Sequence, residues 1–305
     1  MEFFKKKTAI DFMGLRKFTA ILSIVLFLGS LVSLGVKKLD FGLDFTGGTQ
    51  IQVSYTHAAD LAAIRTQLNQ AGFNEAVVQS YGSSKDALIS IAPRPNVNQQ
   101  QLQTQVMLAL PDASLQRADY VGPQVGKEMA SKGILAVLVA LLGTMVYIAI
   151  RFEWRFAVGS AVALVHDPIL ILGLFSFFHW EFNITVLVAV LAVIGYSLND
   201  TIVIFDRIRE NFRKMRKGTP VEVVNLSINQ TLSRTIMTSA TTLVVVVALF
   251  IYGGTSIHGF AKALIIGIVV GTYSSIYVAG ALSVALGLNK NDLMPVQKEE
   301  IDDRP

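Results

Sequence analysis

Cysteine is absent from the 305 residues, which excludes disulfides and thiol-based metal or redox sites. Charge is scarce: Asp, Glu, Lys and Arg make up only 16% of the chain, against 52% hydrophobic residues. Histidines and carboxylates nowhere cluster at ligand spacing, so no metal and no cofactor is expected. A removable leader is also missing, since the first apolar stretch is too long for a signal-peptide core and no small-residue cleavage site follows it. That stretch reads as a retained anchor.

What fills the chain instead is long apolar sequence. Six stretches reach or approach the roughly 20 residues that cross about 30 Å of hydrocarbon: 18–36, 133–150, 156–178, 182–205, 235–252 and 263–288. Lysine and arginine set their orientation, because short loops rich in these residues stay on the cytoplasmic side. Lys5, Lys6, Lys7, Arg16 and Lys17 precede the first span, Arg151 and Arg155 follow the second, and Arg207, Arg209, Arg213, Lys214, Arg216 and Lys217 follow the fourth. The connections 179–181 and 253–259 hold neither residue type, which places them outside together with 37–132. The basic loop is therefore an orientation signal, and no nucleic-acid partner is expected.

The expected organisation is a cytoplasmic segment 1–17, a membrane helix 18–36, an external domain 37–132, five helices within 133–288 with a basic loop 206–233, and a cytoplasmic tail 289–305. The fold class is thus a polytopic α-helical membrane protein of six transmembrane helices with one α+β ferredoxin-like periplasmic domain. Within that domain, Gln50 to Tyr55 alternates polar and apolar residues as a half-buried strand does, and Asp60 can cap a helix carrying Leu61, Ile64 and Leu68. Strand-like runs at 76–80 and 87–92, helical spacing over 99–110 and a closing strand at 115–121 complete a βαββαβ order, the split arrangement of ferredoxin-like domains. His57 reads as a solvated loop residue.

Inside the spans, ionisable residues carry the functional signal. Asp200 sits in an apolar run sixteen residues past Ile184, about 24 Å down the helix. Burial favours the neutral form of a carboxyl, so this group can take up and release protons where water reaches it; the plainer alternative is a carboxylate snorkelling to the inner interface. Asp167, in His166-Asp167-Pro168, lies near the midplane and either joins a proton relay or serves as a structural acceptor beside backbone freed by Pro168. Arg234 follows an amphipathic helix opened by the capping box Thr219-Pro220-Val221-Glu222. It is the expected partner of Asp200, with a simple interfacial arginine as the alternative. The last span repeats small residues at Gly267, Gly271, Ser275, Ala279 and Ser283, which packing accounts for. Lys262 is expected to snorkel outward, and Asp206 and Glu210 to belong to a solvated charge cluster.

Several stretches also carry a family resemblance: 41–49 (FGLDFTGGT), 121–126 (VGPQVG), 152–155 (FEWR), 163–167 (ALVHD), 194–200 (IGYSLND) and 206–214 (DRIRENFRK). Together they resemble the SecF family, the smaller membrane subunits of the bacterial SecD and SecF pair, from about Phe12 to Leu288. The resemblance implies a member of the resistance-nodulation-division superfamily in the bacterial inner membrane. It implies a protein that uses the proton motive force to assist polypeptide export and has no enzymatic activity. Its partners would be SecD, the SecYEG channel, YajC, the translocating unfolded polypeptide, protons and membrane lipids. Asp200 and Arg234 would serve proton passage, together with an acidic residue of SecD that this chain lacks; the reading of the residues themselves adds Asp167 and Asn199 to the expected proton pathway.

Three other readings compete. A proton-coupled small-molecule exporter would want an external domain lined by aromatics, which are few here, and a non-conducting scaffold would tolerate neutral membrane residues. An aspartyl protease pairing Asp167 with Asp200 is disfavoured by their depths, about 8 to 10 Å apart, and by the missing Gly-x-Gly-Asp signature.

Overall fold

The computed structural model describes residues 8–94, 98–215 and 218–289. Lys5, Lys6, Lys7, Arg216, Lys217 and most of the expected tail lie outside the described residues. A short 3-10 turn at Met13–Leu15 leads into α1 (Arg16–Val36), followed by β1 (Asp40–Phe41), α2 (Leu43–Thr46), β2 (Gly48–Ser54), α3 (Leu61–Gln70), β3 (Val77–Tyr81), β4 (Ser83–Ile91), α4 (Gln99–Ala109) and β5 (Ser114–Val121). The remainder is α5 (Pro123–Arg151), α6 (Trp154–Phe177), β6 (Glu181–Phe182), α7 (Ile184–Lys214), α8 (Pro220–Tyr252) and α9 (Thr255–Ser274), the last continued by a π-helical turn at Ser275–Gly280 and by α10 (Ala281–Ala285).

Among the described residues six helices are long and apolar enough to cross a membrane. Four run well past the lengths that hydropathy suggests. Proline at the first position starts α5 at Pro123, ten residues before its apolar stretch. The helix α7 continues to Lys214, and the expected amphipathic helix before the fifth span is the first half of a continuous α8, opened by the Thr219–Glu222 capping box. The last begins at Thr255, where apolarity alone suggests residue 263.

Burial divides these helices into two sets. Of the most apolar stretch, 61% is buried in α6, 56% in α7 and 50% in α9 with its extension, against 17%, 11% and 17% in α1, α5 and α8. Three helices therefore form the interior and three present apolar side chains outward. The buried positions of α1 are Thr19, Ser23, Ser30 and Ser33, all small and hydroxylic. That inversion of the water-soluble pattern is expected where lipid is the solvent: tails solvate leucine, and small residues admit close helix approach. Gly173 of α6 shows the effect, since a Cβ there would come 2.7 Å from the Ser30 Cα, while Ser33 donates to Ser176 at 3.0 Å one turn along.

The domain between α1 and α5 holds a four-stranded antiparallel sheet in the order β3-β4-β2-β5 with α3 and α4 in its crossovers, the split βαββαβ arrangement read from the sequence. Its pairs run Thr49 with Ile91 and Gly48 with Val121. The alternation in β2 buries Ile51 and Val53 against Ile64 and Leu68 of α3 and Val106 of α4, and Asp60 accepts the Ala62 and Ala63 N–H groups as the cap of α3. A second sheet, invisible to periodicity, pairs β1 in parallel with β6, Asp40 beside Glu181 and Phe41 beside Phe182. It ties the segment after the first span to the turn between α6 and α7. Phe45 stacks on Phe182 at 5.7 Å, and the Asp44 carboxylate accepts the Ile184 N–H at 3.0 Å, capping α7. Two positive-φ glycines, Gly47 and Gly48, let this corner close. A Cβ on Gly126 in the first turn of α5 would lie 2.8 Å from the Gly47 nitrogen, so all three positions need glycine.

Gly173→Val is expected to force α1 off α6 and lower stability by about 1–3 kcal/mol. Thermal unfolding of the detergent-solubilised protein measures this, and an unchanged midpoint would show that the α1 contact is dispensable.

Candidate functional site

The three interior helices and α8 converge on a layer of hydroxyl and carboxyl groups at membrane depth. Asp167, 1% exposed, has three partners: its Oδ1 shares a 3.0 Å hydrogen bond with His166 Nδ1, and its Oδ2 accepts from Ser197 Oγ at 2.5 Å and Ser274 Oγ at 2.8 Å. One side chain thereby joins α6, α7 and α9. Pro168, which follows it, lies within a continuous α6. The His166 Nε2 is buried with no hydrogen-bond partner among the described residues.

One turn below Ser197 on α7, Thr201 shares a 2.8 Å bond with Ser275, and Ser275 also donates to the Gly271 carbonyl. The small-residue stripe of the last span thus does two jobs. Gly271 gives α7 its approach, since a Cβ there would meet the Ser197 Cβ at 2.9 Å, and Ser275 binds what the approach delivers. On the other side Tyr196 donates to Ser239 of α8 at 3.4 Å, and Ser239 bonds Thr272 at 2.8 Å. A short connection makes α7 and α8 antiparallel neighbours. Starting from the Tyr196–Ser239 bond, four residues along each helix bring Asp200 level with Thr235.

Asp200 is 3% exposed, and its Oδ2 is buried with no hydrogen-bond partner among the described residues. The Thr235 Oγ1 at the same level is in the same condition. Arg234, next in sequence, is exposed on α8, and its charge acts on Asp200 electrostatically. No ion pair within 4 Å joins them among the described residues, so the expected partners are neighbours without being in contact. Asn199 points away and is exposed. The two aspartates therefore stand in opposite situations: Asp167 has every requirement met, while Asp200 keeps an acceptor open in a place where an unmet polar group costs several kcal/mol.

Sequence reasoning singled out both aspartates and Arg234 but passed over Ser197, Ser274, Thr201 and Ser239. Their one signal is hydroxylic residues at one-turn spacing on α7 and α9, which also suits plain packing. Elsewhere, Lys262 lies 4.6 Å over the ring of Trp180, in the connection between α6 and α7, and is half-buried. Asp206 and Glu210 form the expected cluster, with Arg151 at 3.1 Å and Arg207 at 2.9 Å respectively. His57 is exposed. No group of three metal-ligating side chains occurs among the described residues.

The chain matches two family models: the C-terminal domain of the protein export membrane proteins SecD/SecF over residues 101–289, and the SecD/SecF GG motif over residues 32–59. It is 49% identical to the protein translocase subunit SecF of Vibrio alginolyticus, with 99% of this chain and 98% of the relative covered. To the corresponding subunit of Pseudomonas aeruginosa it is 48% identical, with 97% and 98% covered. Among solved structures, SecDF from a Thermus species, described as a translocon-associated membrane protein, superposes with a TM-score of 0.84 at 37% identity over 92% of this chain. SecDF in a super-membrane-facing form gives 0.70 at 36% identity over 93%. This chain spans only 39% of either SecDF chain.

Asp167→Ala is expected to leave His166, Ser197 and Ser274 without their acceptor and to cost about 3–5 kcal/mol, whereas Ser274→Ala removes one of three bonds and costs about 1–3 kcal/mol. Equilibrium unfolding of both variants in one detergent ranks them. Equal losses would mean that the carboxylate does not organise the three helices.

Proposed function

Because the chain belongs to the SecD/SecF protein-export family, we propose that it is an accessory subunit of the Sec translocase that turns the proton motive force into outward movement of an exported polypeptide. It is a multi-pass membrane protein of a transport family. In our reading both termini are cytoplasmic and the antiparallel sheet is periplasmic. The observation that carries the proton assignment is Asp200: a buried carboxyl with an open oxygen, level with an unpaired Thr235 hydroxyl and within the field of Arg234.

Protonation changes this group from a costly buried anion into a neutral donor able to serve Thr235. Deprotonation restores the attraction of Arg234, which stands close but unbound. A shift of α8 against α7 follows the change of charge. Asp167 and Asn199 have lesser parts: Asp167 holds α7 in place through Ser197, and exposed Asn199 faces whatever covers α7. The face of α8 that carries Arg234 is only lightly covered, which supports a second half-bundle there. We assign that place to SecD, which would supply a further acidic group, with SecYEG, YajC and the unfolded chain as the wider assembly in the bacterial inner membrane. Each elementary charge moved down 100 mV releases about 2.3 kcal/mol, so a few protons suffice to reposition the external domain. The two SecDF forms, with TM-scores of 0.84 and 0.70 at nearly equal identity, support rearrangement within this fold.

Asp200→Asn in the intact complex is expected to reduce gradient-dependent completion of export by on the order of tenfold or more while leaving membrane levels of the subunit unchanged. Full retention would leave a non-conducting scaffold as the function. Orientation is testable separately because the chain has no cysteine of its own. A single His57→Cys variant is expected to react with a membrane-impermeant maleimide in osmotically opened cells with intact inner membranes, and Lys214→Cys only after that membrane is permeabilised. The reverse pattern would invert the topology.

A further inference from the structure

Away from the polar layer, α1, the first half of α6 and the end of the last helix enclose a groove of about 810 Å³, within the roughly 300–1,000 Å³ of ordinary ligand sites. Its wall is almost wholly apolar, with Val162 on α6 and Tyr277 on the π-helical turn. One end is different. Arg16 and Lys17 line it there, and neither has an acidic partner within 4 Å among the described residues. Arg16 spends one N–H on the Met13 carbonyl at 3.0 Å, which leaves most of its five donors available. At the other end the rings of Phe27 and His166 stack nearly parallel with centroids 6.2 Å apart, and both line the groove.

We propose that this groove is a binding site for one anionic phospholipid of the cytoplasmic leaflet, with the phosphate at Arg16 and Lys17 and an acyl chain running to Phe27. The basic end is cytoplasmic in the orientation given under the proposed function, and the inference rests on that orientation but not on proton coupling. Length selects lipid over a partner helix. From Arg16 to Phe27 is eleven residues of α1, about 17 Å, close to the roughly 15 Å of one hydrocarbon leaflet. A transmembrane helix would need a groove twice as long, and the lining of this one on α1 ends at Leu28. Charge selects an anionic headgroup, because basic pockets between helices on the cytoplasmic side recognise such lipids. The hydroxylic face of α1, held to the bundle by Ser23 and the Thr19 carbonyl through Tyr273, keeps the groove open beside it.

Native mass spectrometry of the full chain, purified with its associated subunits and delipidated, tests this by titration with phosphatidylglycerol or phosphatidylcholine. One saturable phosphatidylglycerol is expected, bound in preference to phosphatidylcholine. The double substitution Arg16→Gln with Lys17→Gln should weaken phosphatidylglycerol by on the order of tenfold and leave phosphatidylcholine unaffected. Val162→Trp, at a position 43% exposed and so tolerant of bulk, should fill the groove and abolish binding of both. Equal binding of the two lipids with no effect of either substitution would overturn the proposal. So would a Val162→Cys variant that cross-links to another subunit in membranes. Neither readout involves export, so an inactive Asp200 assignment would leave this site standing, and the converse.

Discussion

A polar atom in hydrocarbon must find a partner inside the protein, because no water is there to supply one. The membrane part of this chain is arranged around that requirement. Asp167 meets it completely, and in doing so fixes three helices in one register through bonds of 2.5 to 3.0 Å to Ser197, Ser274 and His166. Asp200, a turn further along α7, does not meet it. Within one cluster a satisfied carboxylate acts as a fastener and, on the proposed reading, an unsatisfied one acts as a group whose state can change; the difference lies in which neighbours carry hydroxyls pointed at it.

The same helix joins that changeable group to the external sheet. The first turn of α7 is capped by Asp44, which belongs to α2 at the root of the external domain, and β1 pairs with β6 just before α7 begins. Gly47 leads directly into β2, which begins at Gly48 and is one of the two inner strands that pair on both sides. On the proposed reading, relative movement of α7 and α8 at Asp200 reaches the sheet through one rigid helix, one side-chain cap and one glycine corner. Half-buried Glu181 sits at this junction, where burial raises its pKa above the ordinary carboxylate value.

Much of this was legible in sequence because lipid imposes simple rules. Length and apolarity located six spans, alternation located β2, and the Asp60 and Thr219 caps were read from residue type alone. Boundaries failed where a helix outruns its apolar stretch: no continuous apolar run marks residues 123–132 or 206–214, yet proline at the start of α5 and the buried Ile208 and Phe212 at the end of α7 carry the helix on. The β1–β6 pair was illegible since two residues make no period, and Glu181 lies 141 positions after Asp40 in the chain. Asp167 was ambiguous for a related reason. Whether a carboxylate is structural depends on what faces it from two other helices, and Ser197 and Ser274 give no sign of their orientation.

The gap between Asp200 and Arg234 carries the last step of the argument. A fully formed buried ion pair is held by several kcal/mol once desolvated, and breaking it by removing one partner costs about 3–5 kcal/mol. One proton crossing 100 mV supplies about 2.3 kcal/mol. A locked pair would therefore resist the force meant to drive it. Neighbouring charges that interact without contact leave an energy difference small enough for a proton to reverse, and a hydroxyl such as Thr235 offers the neutral carboxyl somewhere to go. On the proposed reading, the open oxygen of Asp200 is the condition under which a gradient of ordinary size can move α8 at all.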